Sequence, residues 1–437
     1  MPGSPALYPG ASQGAAARLC PFSFLGIAIL DYPRLRPLNV FAVEMSGETR
    51  VCLQDPQNIS EKALFLPPAL YFIASHFDGH HSLLDIQAEY MRRFGELLFT
   101  EKIQEIIRQL DENLFLEGDR FQEALKQAED EFKQAPVREA TFAGKSYEAD
   151  SGRLKAQLEA YFGGPDGPGP LGERKGKNGL KGLVAPHIDF QRGGFCYAHA
   201  HREWWERGSS HCFIILGTAH VPMQYPFCLT RKDFKTPLGT LVADDELIDA
   251  IQSRCPYDLF HDERAHRTEH SIEFQCVFLR YLIPEPTPVK IVPILSGSFH
   301  EAISKGISPL EMEPVRQFIE ALESALQSVG RDVCWVASAD LAHVGLQFGD
   351  PEGVKQYDLR ILAEEDQERL GYVERMDAEG FFQSILREQD HRRICGLPAI
   401  YTLLSALHAG EGKLLKYGQA FTAEAQSMVS FASLAFY

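Results

Sequence analysis

Leu183-Val184-Ala185-Pro186-His187 is an apolar run that ends in a histidine, and two other runs of the sequence repeat this pattern. They are residues 213–220, with the sequence FIILGTAH, and residues 335–343, with the sequence WVASADLAH. Continuous apolar runs of this kind are typical of strands buried on both faces of a parallel sheet. Because ligand sites in such sheets form where the strands end, the pattern predicts that His187, His220 and His343 meet at one edge of the sheet.

Three converging imidazoles would suit a divalent metal ion of the zinc, iron or copper type. The alternative for each histidine taken alone is a buried core residue or a cap at a strand end. Since the same placement occurs three times, we favour a shared polar site.

Chain length and composition limit the possible domain organisation and the possible partners. The chain has 437 residues, of which 45% are hydrophobic and 24% are charged, and this is enough for one large α/β domain with a smaller domain attached. Its net charge of -17 argues against nucleic acid as a partner, because nucleic acids are bound mainly through Lys and Arg.

Cysteine spacing and apolar run lengths bear on location. The nine cysteines include no Cys-x-x-Cys pair and mostly lie within apolar runs, which indicates reduced thiols and a cytoplasmic protein. No stretch reaches the roughly 20 apolar residues of a membrane helix, so no membrane association is expected.

The chain is expected to divide into a leader, a small domain, a linker and a large domain. Residues 1–33 are rich in Ala, Gly, Ser and Pro and are expected to be a flexible leader. In residues 34–120 the pattern predicts a hairpin across a turn at residues 46–48, helices at 68–74, 83–94 and from Thr100, and a short strand at 114–118. Residues 121–137 are predicted to be a helical linker to a domain at 138–437.

The small domain resembles the PqqD-type winged-helix domains. The resemblance lies in Asp78-Gly79-x-x-Ser82-Leu83-x-Asp85-Ile86 and in Leu110-Asp111-Glu112-Asn113-x-Phe115-Leu116. It implies capture of a peptide as an added strand at the edge of the small sheet. A structural cap or a dimerisation module is the alternative. Binding of DNA is disfavoured by the acidic residues along the helix that begins at Thr100.

Further polar residues accompany the three histidines. Asp189 follows His187 by two residues, and a helix is predicted to begin after Thr268 as its N-cap. His270 and Glu273 lie at i and i+3, so they share one face of that helix and are predicted to act as an acid and a base, or as two ligands, in the same cleft. A surface ion pair is the alternative for Glu273.

Residues 138–437 resemble the Memo family, also described as the B component of the AmmeMemoRadiSam system. The motifs that carry the resemblance occur in one order along the chain: Arg138-Glu139-Ala140, Ala185-Pro186-His187, Leu216-Gly217-Thr218-Ala219-His220-Val221-Pro222, Thr236-Pro237-Leu238, Glu269-His270-Ser271-Ile272-Glu273, Val292-Pro293-Ile294, Ser338-Ala339-Asp340-Leu341-Ala342-His343, Ile394-Cys395-Gly396 and Val429-Ser430-Phe431-Ala432.

This resemblance implies an α/β fold like the LigB-type class III extradiol dioxygenases, joined to the small winged-helix-like α+β domain. It implies metal ligands at His187 and His220, and it maps the family's cysteine ligand onto Ala342, which has no donor atom. A ligand set of two histidines would have to be completed by solvent or by a further side chain of the cleft: His270, Asp189, Glu273, Asp340 or His343. Because neighbouring side chains on a strand point to opposite faces, His343 and Ala342 are not both expected in the cleft, and Ala342→Cys is expected to restore a thiolate facing the metal.

The family pattern is also broken at Phe142 and Gln275, where histidine is common.

Two functions follow as hypotheses. One is a redox or dioxygenase-like protein with iron, or alternatively copper, in which His270, Glu273 and His343 are catalytic and Asp189, Asp340 and Ala342 lie around the substrate. The other is a non-catalytic protein without metal that binds a peptide or an anion in the same cleft. The resemblance implies a radical-SAM protein and an AMMECR-type protein as partners, with a peptide bound by the small domain.

Overall fold

The computed structural model describes residues 31–45, 47–57, 59–60, 62–174 and 179–437. The chain forms two compact units, one up to Leu125 and one from Lys126 onward. The expected leader falls almost wholly outside the described residues. The winged-helix resemblance of the first unit stays a prediction.

The first unit contains one small sheet and a group of helices. Its strands pair antiparallel in the order β1-β2-β3. The elements are β1 (Asn39–Met45), β2 (Glu48–Gln54), β3 (Ala63–Leu66), α1 (Pro68–Ala74), α2 (Leu83–Phe94) and α3 (Thr100–Glu112), followed by α4 (Asp119–Gln134), which crosses into the second unit.

Local sequence signals account for these elements. Ser82 and Asp85 form a capping box that starts α2, and Gly95 ends it in the left-handed conformation at φ 73°. The apolar face predicted for α3 is buried in the core of the unit. The predicted hairpin and the three helices are therefore confirmed. The strand predicted at 114–118 is only a single bridge between Leu35 and Leu116.

The second unit is built on one large mixed sheet. Its strands are β4 (Val137–Arg138), β5 (Gly182–Ala185), β6 (Cys212–Thr218), β7 (Phe227–Leu229), β8 (Asp233–Thr236), β9 (Gly239–Ala243), β10 (Lys290–Ser296), β11 (Cys334–Ser338), β12 (Asp340–Gly345), β13 (Gly412–Thr422) and β14 (Ser427–Phe436). Its helices are α5 (Ser151–Gly163), α6 (Phe190–Arg207), α7 (Asp245–Gln252), α8 (His270–Leu282), α9 (His300–Lys305), α10 (Glu313–Val329), α11 (Asp358–Glu374), α12 (Ala378–Leu386) and α13 (Leu397–Ala406).

The strands run in the order β12-β14-β5-β11-β6-β10-β9-β8-β4, with β13 beside β14 and β7 beside β10. The four strands β5, β11, β6 and β10 pair in parallel. Three of them, β5, β6 and β11, are the strands that the apolar runs predicted. Alternate residues of β6 enter two separate cores: Ile214 and Leu216 pack on one face of the sheet, and Phe213 and Ile215 on the other. Helices cover both faces, so the predicted α/β class is confirmed.

One of the three runs differs from the prediction. Residues 335–343 form two strands rather than one, with Ala339 between them. The first, β11, is parallel to β5 and β6, whereas β12 pairs antiparallel with β14 and has an irregular register between Asp340 and His343. His343 therefore lies within an antiparallel strand and not at the end of a parallel one.

Among the described residues, no helix combines the length and the apolar character needed to cross a membrane. The eight described cysteines are free thiols, seven of them buried. The cytoplasmic location stays a prediction.

Candidate metal centre

His187 and His220 follow β5 and β6, and their rings approach each other at the edge of the sheet with centroids 5.0 Å apart. His187 Nδ1 lies 3.0 Å from the carbonyl oxygen of Ser338, and His220 Nδ1 lies 3.0 Å from a carboxylate oxygen of Glu269. These contacts assign the proton of each ring to Nδ1 and leave both Nε2 atoms free to bind a metal ion.

Glu269 and His270 are brought to His220 by the start of α8. The Glu269 carboxylate accepts hydrogen bonds from the backbone N–H groups of His220, His270 and Ser271. Glu269 is thus the N-cap of α8, and the prediction of Thr268 as the cap was wrong. The His270 ring stacks on His220 with centroids 4.9 Å apart and an interplanar angle of 18°.

This approach requires a glycine at the end of β6. A Cβ atom on Gly217 would lie 2.6 Å from Ile272 Cγ1 and 2.7 Å from Ser271 Oγ. Only a residue without a side chain lets the first turn of α8 come so close to β6.

Cys395 provides a thiol at the same place. Its Sγ lies 3.2 Å from His187 Nε2, and donor atoms of His187, His220 and Cys395 all lie within 4.8 Å of one another. The short loop that carries Cys395 packs directly on the sheet, since a Cβ atom on Gly396 would lie 2.4 Å from the carbonyl oxygen of Asp340. A second group within the same limit comprises His220, Glu269 and His270.

The ionisation states of the histidines differ. Burial, followed by the charge of His220, lowers the pKa of His187 to about 3, and burial lowers the pKa of His270 to about 4. Both rings are neutral at pH 7, as ligands or bases must be. Burial disfavours the charged forms of Glu269 and His220, but the attraction between the two groups is stronger than this effect. The pKa of Glu269 therefore falls below its usual value, and the pKa of His220 rises.

The Cys395 thiol is protonated in the free protein. Burial, with Asp340 next, holds its pKa well above 9. A metal ion would have to displace that proton.

Asp340, Ala342 and His343 occupy different surroundings. Asp340 accepts a hydrogen bond from the backbone N–H of His187 at 2.9 Å, and its other oxygen lies 3.6 Å from His187 Nε2. Ala342 is fully buried in an apolar cluster with Val344, Val354 and Met428. The thiol that lies beside His187 and His220 is that of Cys395, on a different segment from Ala342, onto which the family's cysteine was mapped.

His343 belongs to neither group of donor atoms. Its Nδ1 lies 3.1 Å from the carbonyl oxygen of Leu341, and its ring packs against Phe348. Burial lowers the pKa of His343, with Asp340 opposing that effect. The structure thus brings His270, rather than His343, to the pair His187 and His220.

Glu273 and Asp189 have structural partners elsewhere. Glu273 is completely buried and forms an ion pair with Arg138, which is 1% exposed, and it also accepts hydrogen bonds from the Tyr147 hydroxyl and the backbone N–H of Phe142. Asp189 caps α6 and pairs with Arg192. Glu273 therefore does form an ion pair, as the alternative interpretation expected, but the pair is buried rather than at the surface.

Arg138 links this ion pair to the candidate centre. Its guanidinium donates hydrogen bonds to the backbone carbonyl oxygens of His266 at 3.0 Å and Glu269 at 2.7 Å. The pair therefore fixes the segment that presents Glu269 and His270.

A pocket opens beside the ligand atoms, with a volume of about 220 Å³. His220, whose ring is 41% exposed, and Cys395 both line it. A small molecule in this pocket would therefore lie next to a metal ion held by these residues.

Comparisons with known proteins cover most of the chain. The model of the family described as "Memo-like protein" matches residues 138–435. A MEMO1 family protein of Aquifex aeolicus is 30% identical over 403 residues, covering 92% of this chain and 99% of that protein. A MEMO1 family protein of Pyrococcus furiosus is 29% identical over 318 residues, or 68% of this chain and 98% of that protein. The chain belongs to the Memo-like protein family.

Proposed function

We propose that this protein binds a redox-active transition metal ion, iron or alternatively copper, through His187, His220 and Cys395. The observation that carries the proposal is the convergence of the three donor atoms within 4.8 Å. Two imidazoles and a thiolate form a donor set suited to both metals. When bound, the ion would supply redox and Lewis-acid chemistry at the pocket.

The remaining residues of the centre have distinct roles in this proposal. Glu269 holds the Nδ1 proton of His220 and thereby fixes the orientation of that ring. Asp340 orients His187 through its backbone N–H. His270, which is neutral at pH 7 and stacks on His220, is the acid or base of the centre in this proposal.

Metal content tests the proposal. The full chain is purified without added metal and without a histidine tag, and iron, copper and zinc are quantified. His187→Ala, His220→Ala and Cys395→Ser should each lower bound metal at least tenfold, because each removes one of three donors. His391→Ala, at an exposed histidine four residues before Cys395, is the matched control. Equal metal in all variants would refute the site.

Ala342→Cys separates the two placements of the thiol. If Cys395 is the ligand, adding a thiol among the apolar neighbours of Ala342 should leave metal content unchanged and should not rescue Cys395→Ser. Metal binding restored by Ala342→Cys in the Cys395→Ser background would instead place the thiol ligand on β12.

The partners implied by the family resemblance are part of the proposal: a radical-SAM protein, an AMMECR-type protein and a peptide. Support for peptide capture is the position of β1, which is an edge strand of its sheet and is exposed at six of its seven residues. Titration of the full chain with peptides encoded near the radical-SAM partner should saturate, and the same titration with duplex DNA should not. The reverse result would overturn it.

A further inference from the structure

The pocket beside the candidate metal centre contains a hydroxyl group that the protein itself does not use. Ser296 is the last residue of β10, and it pairs in register with Thr218, the last residue of β6. Both residues line the pocket. Neighbouring residues in register present their side chains on the same face of a sheet, so the two side chains lie next to each other at the wall of the pocket.

The two hydroxyls differ in their partners. Thr218 Oγ1 donates to the backbone carbonyl oxygens of Ser338 at 3.3 Å and Cys395 at 3.4 Å. Ser296 is completely buried, and its Oγ has no hydrogen-bond partner among the residues that the structure describes. A buried polar atom without a hydrogen-bond partner lowers the stability of the folded protein, and a bound ligand could supply the missing partner.

The rest of the pocket restricts what such a ligand can be. Its volume of about 220 Å³ lies below the usual range of ligand pockets, which limits the ligand to a small molecule. Much of the wall is apolar, formed by Ala219, Phe299, Ile303, Ile394, Leu397 and Pro398. Asp390 and Arg393 also line the pocket, but Asp390 accepts a hydrogen bond from the backbone N–H of Ile394 and Arg393 pairs with Asp350. Apolar walls with a few fixed polar groups favour a compact molecule that carries a single polar group.

We infer that the pocket binds a small, mostly apolar alcohol, with its hydroxyl hydrogen-bonded to Ser296 Oγ and placed next to His220 and Cys395. The inference rests on the proposed function in one respect: the hydroxyl of the alcohol has a role in chemistry only if a metal ion is bound beside it. The binding itself depends on Ser296 and the apolar walls, which are separate from the metal ligands.

The first experiment needs no substitution. The full chain, as purified and after metal removal, is titrated with benzyl alcohol and with toluene, and binding is followed by ligand-observed NMR. The two probes differ by one hydroxyl group. One buried hydrogen bond is worth roughly a three- to tenfold change in affinity, so the alcohol should bind that much more tightly than toluene in both preparations. Equal affinity, or no binding of either probe, would overturn the inference.

Variants then assign the preference to one atom. Ser296→Ala should abolish the preference for the alcohol and leave toluene binding within twofold. It should fold, because it removes a buried group that lacks a partner, and its melting temperature should equal or exceed that of the wild type. Ser298→Ala, at an exposed serine that also lines the pocket, is the control and should keep the preference. A preference that survives in Ser296→Ala would place the contact elsewhere.

The outcomes for the two proposals are separable. Alcohol discrimination in metal-free protein together with no metal in the quantification would retain the pocket and refute the metal site. The opposite combination would retain the metal site and refute this inference.

Discussion

The strands β1 and β6 have similar apolar sequences and opposite surroundings. β6, Cys212–Thr218, is buried at every residue, with helices on both faces of its sheet. β1, Asn39–Met45, has Val, Phe, Ala, Val and Met among its seven residues and is exposed at six of them. An apolar sequence is therefore not sufficient to predict that a strand is buried.

The difference extends to the two units. Among the residues that the structure describes, fifteen large hydrophobic side chains are exposed, and ten of them lie between Tyr32 and Phe99. Exposed apolar surface of this density is typical of an interaction surface, whereas the second unit uses its apolar residues for packing and positions polar groups at the sheet edge. The exposed apolar side chains are thus concentrated in the first unit, and the polar groups of the candidate centre lie in the second.

The largest effect is expected at the buried ion pair of the second unit. Glu273→Gln leaves the charge of Arg138 buried and unpaired, which should lower the free energy of unfolding by about 3–5 kcal/mol. All three tryptophans, Trp204, Trp205 and Trp335, lie in this unit, so denaturant unfolding followed by their fluorescence reports it.

The matched control is an exposed ion pair of the first unit. Arg108 and Glu105 pair at 2.6 Å with side chains 42% and 40% exposed. Because solvent screens such a pair, Glu105→Gln should leave stability nearly unchanged, as measured by hydrogen exchange in α3. Equal losses in the two variants would contradict the difference between the units.

Acid should weaken the second unit before the first. Burial lowers the pKa of His201 to about 4 and that of His266 to about 3. The unfolded chain takes up these protons near pH 6.5 and the folded chain does not, so stability falls as the pH drops from about 6.5 towards these values, by about 1.4 kcal/mol per pH unit for each histidine. In the first unit, burial opposes the ionisation of Asp55, but the ion pair with Arg36 lowers its pKa. The contribution of ionised Asp55 to stability is therefore lost only below about pH 4.

Denaturant midpoints at pH 7 and pH 5 measure this effect. His201→Asn should reduce the pH slope of the second unit by one proton, and His408→Gln, at an exposed histidine, should leave it unchanged. A flat profile between pH 7 and pH 5 would exclude neutral buried histidines as the cause.

The smallest effect is expected at the exposed face of β1. Phe41 is 47% exposed, so Phe41→Ser should change stability by less than about 0.5 kcal/mol while weakening peptide binding. Leu53 on the neighbouring strand β2 is fully buried, and Leu53→Ala should cost about 2–5 kcal/mol. A large loss of stability from Phe41→Ser would mean that β1 serves packing.

Sequence reasoning reached the parts of the site that follow from local pattern. The apolar runs located β5 and β6 and hence His187 and His220, and helical spacing located α8 and His270. It misplaced Glu273, because an i, i+3 spacing states which face two residues share but not what covers each of them. Arg138, the partner of Glu273, lies 135 residues away in sequence.

The thiol was missed for a related reason. Cys395 lies in an irregular loop with no hydrophobic period, and its approach to His187 depends on packing of that loop against the sheet across 208 residues of sequence. The available signal was Gly396 directly after it, within a motif that already supported the family resemblance. The run at 335–343 also concealed the break at Ala339, because both of the resulting strands are buried and apolar, and a strand's partner cannot be deduced from its own sequence.

The most direct test of the account is X-ray absorption spectroscopy at the metal edge of zinc-loaded wild type and Cys395→Ser. Zinc is redox-inert and reports the ligand set alone. The account predicts one sulfur ligand at about 2.3 Å with nitrogen ligands at about 2.0 Å in the wild type, and loss of the sulfur in the variant. A wild-type spectrum with only nitrogen and oxygen ligands, or a sulfur ligand that persists in Cys395→Ser, would contradict it.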